Sequence, residues 1–417
     1  MRPQLKILIV NQWFWPDSPP QASMLRSIGR HLVGEGHEIT VLTAQPAMNR
    51  WTAQKRMPWR EKLDGLLVVR CRLFPIGFSA GLMMRTLNML IFMFAAIRHI
   101  VFRRRINSYD VILVSTMPPV LLAATVRLGA LLTGASFLYH MMDIYPEAAI
   151  INNRIREGFL THCLRNIDRK NCSAAIRVVA LSDDMQNTLE KRGSSISNVR
   201  IINNFQLESF GVQGDLPDSM RKPEGSFRLL FAGNVGGSQG LDMIIAAFSE
   251  LDDLPKLRLD ILGDGAARKS LELQAGKNLG SRILFHGYQP IENATQMITT
   301  ADLSLVTLRP EIYRIAYPSK TMSYLAAGSP ILAIVEEKSA LARMVRTEGV
   351  GYVSPQGDVL AIASSIRQAY EDRESIEKMR TKALQLAARE FTSEAVLPEW
   401  TKLFEEVSRE RALKGKA

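Results

Sequence analysis

Leu5-Lys6-Ile7-Leu8-Ile9-Val10 is short, apolar and bounded by a loop, and Gly36-His37-Glu38-Ile39-Thr40-Val41-Leu42-Thr43 turns into a second run of the same kind. Between them Met24, Leu25, Ile28 and Leu32 recur at helical spacing from Ala22 to Val33, and Gly34-Glu35-Gly36-His37 ends the pattern. Two buried-type strands joined by an amphipathic helix form a βαβ unit. Such a unit predicts an open parallel sheet with helices on both faces. His37, at the helix-to-strand turn, reads as a turn residue with a local hydrogen bond. The loop from Asn11 to Gln21 holds three prolines and three aromatics.

The pattern continues outward. Strands are expected at Leu66–Phe74, Asp110–Ser115, Ala135–Tyr139, Arg177–Leu181 and Arg200–Ile202, with an apolar helix over Pro118–Leu132. Ser182-Asp183-Asp184 has the makings of a helix cap. The strand at Ala135–Tyr139 runs into His140-Met141-Met142-Asp143-Ile144-Tyr145-Pro146-Glu147. Open α/β sheets place ligands beyond the carboxyl ends of their strands, so His140, Asp143 and Glu147 are the acid/base candidates of this half. The plainer reading makes them capping and loop polar groups.

At 417 residues the chain is long enough for two domains, and its 47% apolar content is that of a globular protein. Three widely spaced cysteines, Cys71, Cys163 and Cys172, argue against a disulfide framework or a zinc site and for a reducing compartment. The N-terminus enters a strand directly and lacks the features of a signal peptide. Net charge is +11, and nearly all of it lies between Arg50 and Arg105, which holds twelve Lys/Arg and two acids. A patch of this kind implies an anionic partner, nucleic acid or anionic lipid. Within it Leu87 to Ile97 is almost unbroken hydrophobe, with Arg85 before and Arg98, Arg103, Arg104 and Arg105 after. A bilayer span needs about 20 apolar residues, roughly twice this run. It reads either as a core helix or as a helix dipping into a membrane interface; the Met and Phe content and the flanking arginines favour the second.

Asn203 to Phe227, rich in Gly and Pro, reads as an interdomain connection. The domains are expected at 1–205 and 227–395, with a linker at 206–226 and a closing helix, 396–417, crossing back to the first domain. In the second half Phe227–Ala232 is a strand, followed by the glycine-rich turn Gly233-Asn234-Val235-Gly236-Gly237-Ser238-Gln239-Gly240 and a helix. Glycines there allow close backbone approach to a phosphate. The turn is not Gly-x-Gly-x-x-Gly, so a nicotinamide cofactor is not indicated. Later strands end in Gly263-Asp264-Gly265, His286-Gly287-Tyr288 and Arg309-Pro310-Glu311. Tyr317-Pro318-Ser319-Lys320 then opens a helix that Gly328 closes, before the strand at Ile331–Val335. Ser319 is the expected cap, and Lys320 places a cation beside free N–H groups. All these ends fall on one carboxyl edge. Gathered there, they predict a seat for a diphosphate-bearing nucleotide.

These residues carry a family resemblance over nearly the whole chain. Gly36-His37-Glu38-Ile39-Thr40-Val41-Leu42-Thr43, Phe231-Ala232-Gly233-Asn234, Gln239-Gly240-Leu241-Asp242, Gly263-Asp264-Gly265, Phe285-His286-Gly287 and Pro318-Ser319-Lys320 with Tyr324 to Pro330 resemble the retaining glycosyltransferases of family 4. Within it the chain is most similar to the colanic-acid and O-antigen subgroup, which includes amino-fucosyl transferases. The resemblance implies a GT-B fold, two Rossmann-like domains facing across a cleft. It implies a nucleotide-diphosphate sugar on the second domain and a lipid-linked saccharide acceptor on the first, in bacterial surface polysaccharide synthesis. It places the protein in the cytoplasm, peripheral at an anionic membrane surface, with Arg50–Arg105 holding the acceptor there and no nucleic-acid partner. The chain has no Asp-x-Asp pair, so no metal or other cofactor is expected.

The chain departs from the family pattern in three places. Its usual Arg and Lys after the first strand of the second domain are Asn234 and Gln239 here; its paired glutamates fall on Ile315 and Ser323; its glycine-rich first loop reads Pro19-Pro20-Gln21-Ala22. Lys320, or Arg309, is left to supply the cation, with Ser319 and Gly236-Gly237 beside the diphosphate. Ser323 or Glu311 is expected on ribose or sugar hydroxyls, the Gly287-Tyr288 backbone on the base, and Asp143 with His140 on the acceptor or sugar. The alternatives are a nucleotide-sugar 2-epimerase of the same fold, and a non-catalytic membrane or nucleic-acid binding protein.

Overall fold

The computed structural model describes residues 4–17, 20–46, 56–74, 82–103, 108–194, 197–207 and 216–414. The chain divides into two compact units, Met1–Asn203 with Val396–Ala417, and Asn204–Ala395.

The first unit carries strands β1 (Lys6–Val10), β2 (Glu38–Ala44), β3 (Arg60–Leu63), β4 (Leu66–Cys71), β5 (Val111–Ser115), β6 (Ser136–His140), β7 (Arg177–Ala180) and β8 (Val199–Ile201) in the order β3-β4-β2-β1-β5-β6-β7-β8. Helix α1 (Pro20–Gly34) joins β1 to β2, which pair in parallel with Ile7 opposite Ile39. Ile7, Leu8, Ile9 and Val10 are all fully buried, which is why this strand reads as continuous hydrophobe. His37 Nδ1 lies 3.2 Å from the Leu5 N–H, closing the turn.

The sheet is not wholly parallel. β3 runs antiparallel to β4 at the edge, with Leu63 opposite Leu66. Asp64 and Gly65 between them have φ of 51° and 83°, a two-residue hairpin. An Asp-Gly pair between two strands is the sequence signal for such a turn. Arg60-Glu61-Lys62-Leu63 conceals it, because an exposed edge strand is polar.

Helix α2 (Leu82–Arg103) follows, 22 residues and about 33 Å long. This corrects the expected half-span: the helix continues through the flanking residues, and Arg98 lies within it. By length and composition Met83–Arg103 is long and apolar enough to cross a membrane. It nevertheless has an inner and an outer stripe. Asn88, Phe92, Ala96 and Ile100 are buried, while Met83, Leu87, Leu90, Phe94 and Val101 are exposed. The inner stripe packs on α3 (Leu121–Thr133), where a Cβ on Gly129 would meet Ile100 at 3.0 Å. Short α4 (Glu147–Ile151), then α5 (Phe159–Ala174) and α6 (Asp183–Lys191), complete the chain to β8.

The second unit is a six-stranded, fully parallel sheet, β9 (Phe227–Ala232), β10 (Leu257–Leu262), β11 (Ile283–Gly287), β12 (Leu303–Thr307), β13 (Ile331–Ile334) and β14 (Gly351–Ser354), ordered β11-β10-β9-β12-β13-β14. Helices α7 (Leu241–Ser249), α8 (Arg268–Ala275), α9 (Ile291–Thr299), α10 (Lys320–Ala326), α11 (Ala340–Glu348), α12 (Val359–Glu371) and α13 (Arg373–Glu390) flank it. Phe227, Leu229 and Phe231 of β9 sit in one buried cluster with Ile244, Phe248, Leu259 and Ile366. Helix α14 (Ser393–Lys414) then returns to the first unit. Trp400, Leu403, Phe404 and Val407 are buried, and Arg177 meets Glu406 and Glu410.

Candidate functional site: the carboxyl edges of the two sheets

Tyr324 sets the geometry of the second unit's edge. It is fully buried, and its hydroxyl accepts from Ala232 N at 2.8 Å and donates to Ala232 O at 3.2 Å. That pins α10 to the last residue of β9. Lys320 lies one turn earlier on the same helix face. Its Nζ therefore arrives beside Gly233, where a Cβ would sit 3.4 Å away. The ammonium donates to Gln239 Oε1 at 2.7 Å and stands 3.8 Å from the centroid of Phe231. No carboxylate pairs with it among the described residues, and burial lowers its pKa from 10.5 to about 7. Gln239 is held in turn by Thr307 Oγ1, which donates to its carbonyl at 2.6 Å.

The glycines divide into two kinds. A Cβ on Gly263 would lie 1.9 Å from Gly233 O, and one on Gly265 2.3 Å from Val235 O. Those two let neighbouring loops pack: Val235 N donates to Asp264 O and Gly263 N to Gly287 O. Gly237 is exposed, with nothing within 4 Å of a Cβ built on it, and belongs to a 3-10 turn with Gln239. Gly236 and the exposed Asn234 precede it, with Asn234 Nδ2 2.7 Å from a Cβ on Gly236.

Other expected donor-side residues are placed differently. Ser319 does not cap α10 with its side chain; it is already in the αR region and exposed, and Pro318 O takes the N–H of Thr321 instead. Glu311 has φ of 68°; its N–H donates to Glu336 at 2.7 Å and its carboxylate pairs with Arg314. Arg309 faces Asp242 at 3.9 Å. Asp264 accepts from Gly265 N, Tyr288 is 86% exposed, and Ser323 is half-buried on α10. His286 turns inward to Asp260 at 2.6 Å. Despite burial, hydrogen bonds from His286 and Arg258, with the charge of Arg228, hold the Asp260 carboxyl below its usual range. That buried charge network, and the Tyr324 clamp, were not anticipated. The Lys320–Tyr324 helical spacing was the available signal for the clamp.

At the first unit's edge the expected trio separates. His140 is buried and edge-on to Trp400 at 5.1 Å, and burial lowers its pKa to about 4. Its carbonyl accepts from Ser115 Oγ, which in turn accepts from Gln21 Nε2, so Gln21 is committed inside the unit. Glu147 is tied to Arg165 at 2.9 Å and Arg192 at 3.3 Å. Asp143 alone is half-buried without a side-chain partner among the described residues, and burial raises its carboxyl to about 6. Of the arginines, Arg85 and Arg98 are exposed on α2 and Arg103 lies 5.8 Å from the Tyr109 ring. Arg104 and Arg105, like Pro19 and residues 208–215 of the expected linker, lie outside the described residues.

Comparison with known proteins completes the assignment. The family model for a glycosyl transferase 4-like domain matches residues 21–204, and that for glycosyl transferases group 1 matches residues 213–386. The glycosyltransferase WbjE of Pseudomonas aeruginosa is 27% identical over 63% of this chain and 66% of its own length. WcaI of Escherichia coli, named as a colanic acid biosynthesis glycosyl transferase, is 25% identical over 94% of this chain and 98% of its own. The fold matches HepE of Anabaena, solved with UDP, with a TM-score of 0.70 at 14% identity, over 96% of this chain and 100% of that one. With both units matched in order by glycosyltransferase models and the whole chain superposing on a glycosyltransferase architecture, this protein belongs to the family 4 glycosyltransferases of GT-B fold.

Proposed function

We propose that this glycosyltransferase moves a sugar from a nucleotide-diphosphate donor to a lipid-linked acceptor, with retention, in the assembly of a bacterial surface polysaccharide. The observation that carries the reading is Lys320, a half-buried ammonium beside Gly233 with no carboxylate partner among the described residues. Such a group is suited to the charge that develops on a departing diphosphate. The backbone of the turn at Gly236 and the exposed Gly237 would supplement it. HepE, of the same fold, was solved with UDP, and WcaI is named for colanic acid biosynthesis; both support the class of donor and pathway. In the retaining reading the bond from the anomeric carbon to the diphosphate breaks and the acceptor oxygen bonds on the same face. The acceptor proton passes to the leaving phosphate. Asp143 is assigned to the acceptor side, where it orients a hydroxyl, and buried His140 holds the edge that carries it. The outer stripe of α2 supports a membrane-surface location, since Phe94 is 68% exposed and α2 contains no acid.

The test is thermal stabilisation by UDP, GDP, ADP and dTDP, with NAD as control, on the wild type and on Lys320→Ala. One diphosphate is expected to stabilise selectively. Lys320→Ala should lose most of that shift and at least tenfold in kcat/KM. No shift from any diphosphate, or near-normal turnover in the variant, overturns the reading.

A further inference from the structure

An open crevice of about 1000 Å³ lies in the first unit, on the amino edge of its sheet, beside the start of β6 and the residue before β7. It is opposite the carboxyl edge that carries Asp143. Arg127, Leu128 and Leu131 of α3, Lys170 of α5, Ile176 and Arg411 of α14 line it. The cations differ in how they are held. Arg411 is fixed by Ser136 Oγ at 3.1 Å and the Gly134 carbonyl at 3.4 Å, and its charge is partly offset by Asp110 at 3.2 Å. Arg127 and Lys170 have no ion-pair partner among the described residues.

The crevice wall is greasy where a soluble anion's site would be polar. Leu131 is 80% exposed and Leu128 is 50% exposed. They belong to α3, which packs against α2, and α2 carries the outer stripe of Met83, Leu87, Leu90, Phe94 and Val101. Neither helix contains an Asp or Glu. Cations next to an exposed apolar surface, with no acid on either helix, complement an anionic head on hydrocarbon chains. A free phosphate gains nothing from Leu128 and Leu131.

We propose that this crevice seats the phosphate of an anionic phospholipid, held by Arg127, Lys170 and Arg411, with Leu128 and Leu131 against its acyl chains. The proposal rests on the membrane-surface reading above and adds to it a defined headgroup site, away from the edge assigned to the acceptor.

The experiment is flotation of the full chain with phosphatidylcholine vesicles, with and without phosphatidylglycerol. Arg127→Glu/Lys170→Glu is expected to lose at least tenfold in affinity for the phosphatidylglycerol vesicles. It should keep the residual binding to phosphatidylcholine and the thermal shift by nucleoside diphosphate, which shows that it is folded. Phe94→Asp is expected to weaken binding to both vesicles. If the double variant binds phosphatidylglycerol like the wild type while Phe94→Asp does not, the crevice assignment falls and the membrane reading stands. If the wild type binds neither vesicle, both fall. If the wild type is a dimer by size-exclusion chromatography and the double variant is a monomer, the crevice belongs to a second copy of the chain and the lipid assignment is overturned.

Discussion

The two carboxyl edges are built on the same plan and offer opposite chemistry. In the second unit the edge consists of tightly packed glycine loops and one ammonium, Lys320, whose neighbours are an aromatic ring and an amide. In the first unit it holds Asp143, a half-buried carboxyl with no side-chain partner among the described residues, while the His140 imidazole is buried and its pKa lowered by burial. Burial works against charge in both places, lowering the lysine to about 7 and raising the aspartate to about 6. An anion arriving at the first edge meets a carboxyl; at the second it meets the charge it lacks. The same fold thus meets an anion in opposite ways according to which ionisable group it leaves half-buried.

The largest expected effect breaks the second edge. Gly263→Ala puts a Cβ 1.9 Å from Gly233 O at a φ of +116°, so both loops must move. Destabilisation above about 3 kcal/mol is expected in denaturant unfolding. A small loss would mean that the loops are not held by this contact. Tyr324→Phe is next. It leaves the Ala232 N–H and carbonyl without their partner, at a cost of about 1–3 kcal/mol, and loosens the clamp that places Lys320. Weaker nucleoside-diphosphate binding should accompany the loss of stability; unchanged affinity would separate the clamp from the site.

A subtler measurement sharpens the comparison of charges. At pH 8 the free Lys320, with its pKa near 7, is mostly neutral, and a bound diphosphate raises that pKa again. Binding at pH 8 should take up about one proton, detected by calorimetry in buffers of different ionisation enthalpy. At pH 6, where Lys320 is already mostly charged, its share of the uptake should vanish, and Lys320→Ala should lose the uptake at pH 8. The smallest effect is at the first edge. Asp143, raised to about 6, contributes stability that is complete below its ordinary value near 3.8 and is lost as pH rises through about 6. Asp143→Asn is therefore expected to raise Tm by about 2 °C at pH 8 and to leave it unchanged at pH 3.5. A change that is the same at both pH values would show that burial of the charge is not its cause.

Much of this arrangement was legible in the sequence. The buried strands read as apolar runs because parallel strands covered on both faces hide every side chain, and the βαβ order then fixes which loops share an edge. Lys320 stands out in the sequence because a charge just inside a helix start is a local pattern. What escaped was set by partners far along the chain. His140 reads as an accessible acid/base candidate until Trp400, 260 positions later, covers it. The hairpin strand at Arg60–Leu63 is polar because it is an edge, so no hydrophobic period marks it. Arg98 was read as a flank of the apolar run, yet on α2 a long side chain can reach water without ending the helix.

The return of α14 has a consequence for biosynthesis. Trp400, Leu403, Phe404 and Val407 are core residues of a unit whose other part ends at Asn203. A ribosome adding about 5–20 residues per second needs roughly 10–40 s to travel from one to the other. During that interval the second unit, continuous in sequence, has all its residues before the first can close. The first unit waits with an unfilled groove where Trp400 will lie, exposed to chaperones and proteases. A nascent chain released before residue 400 would carry the whole sheet of the second unit and a first unit that lacks Trp400. Closure of the first unit thus waits on synthesis of the segment that carries Trp400.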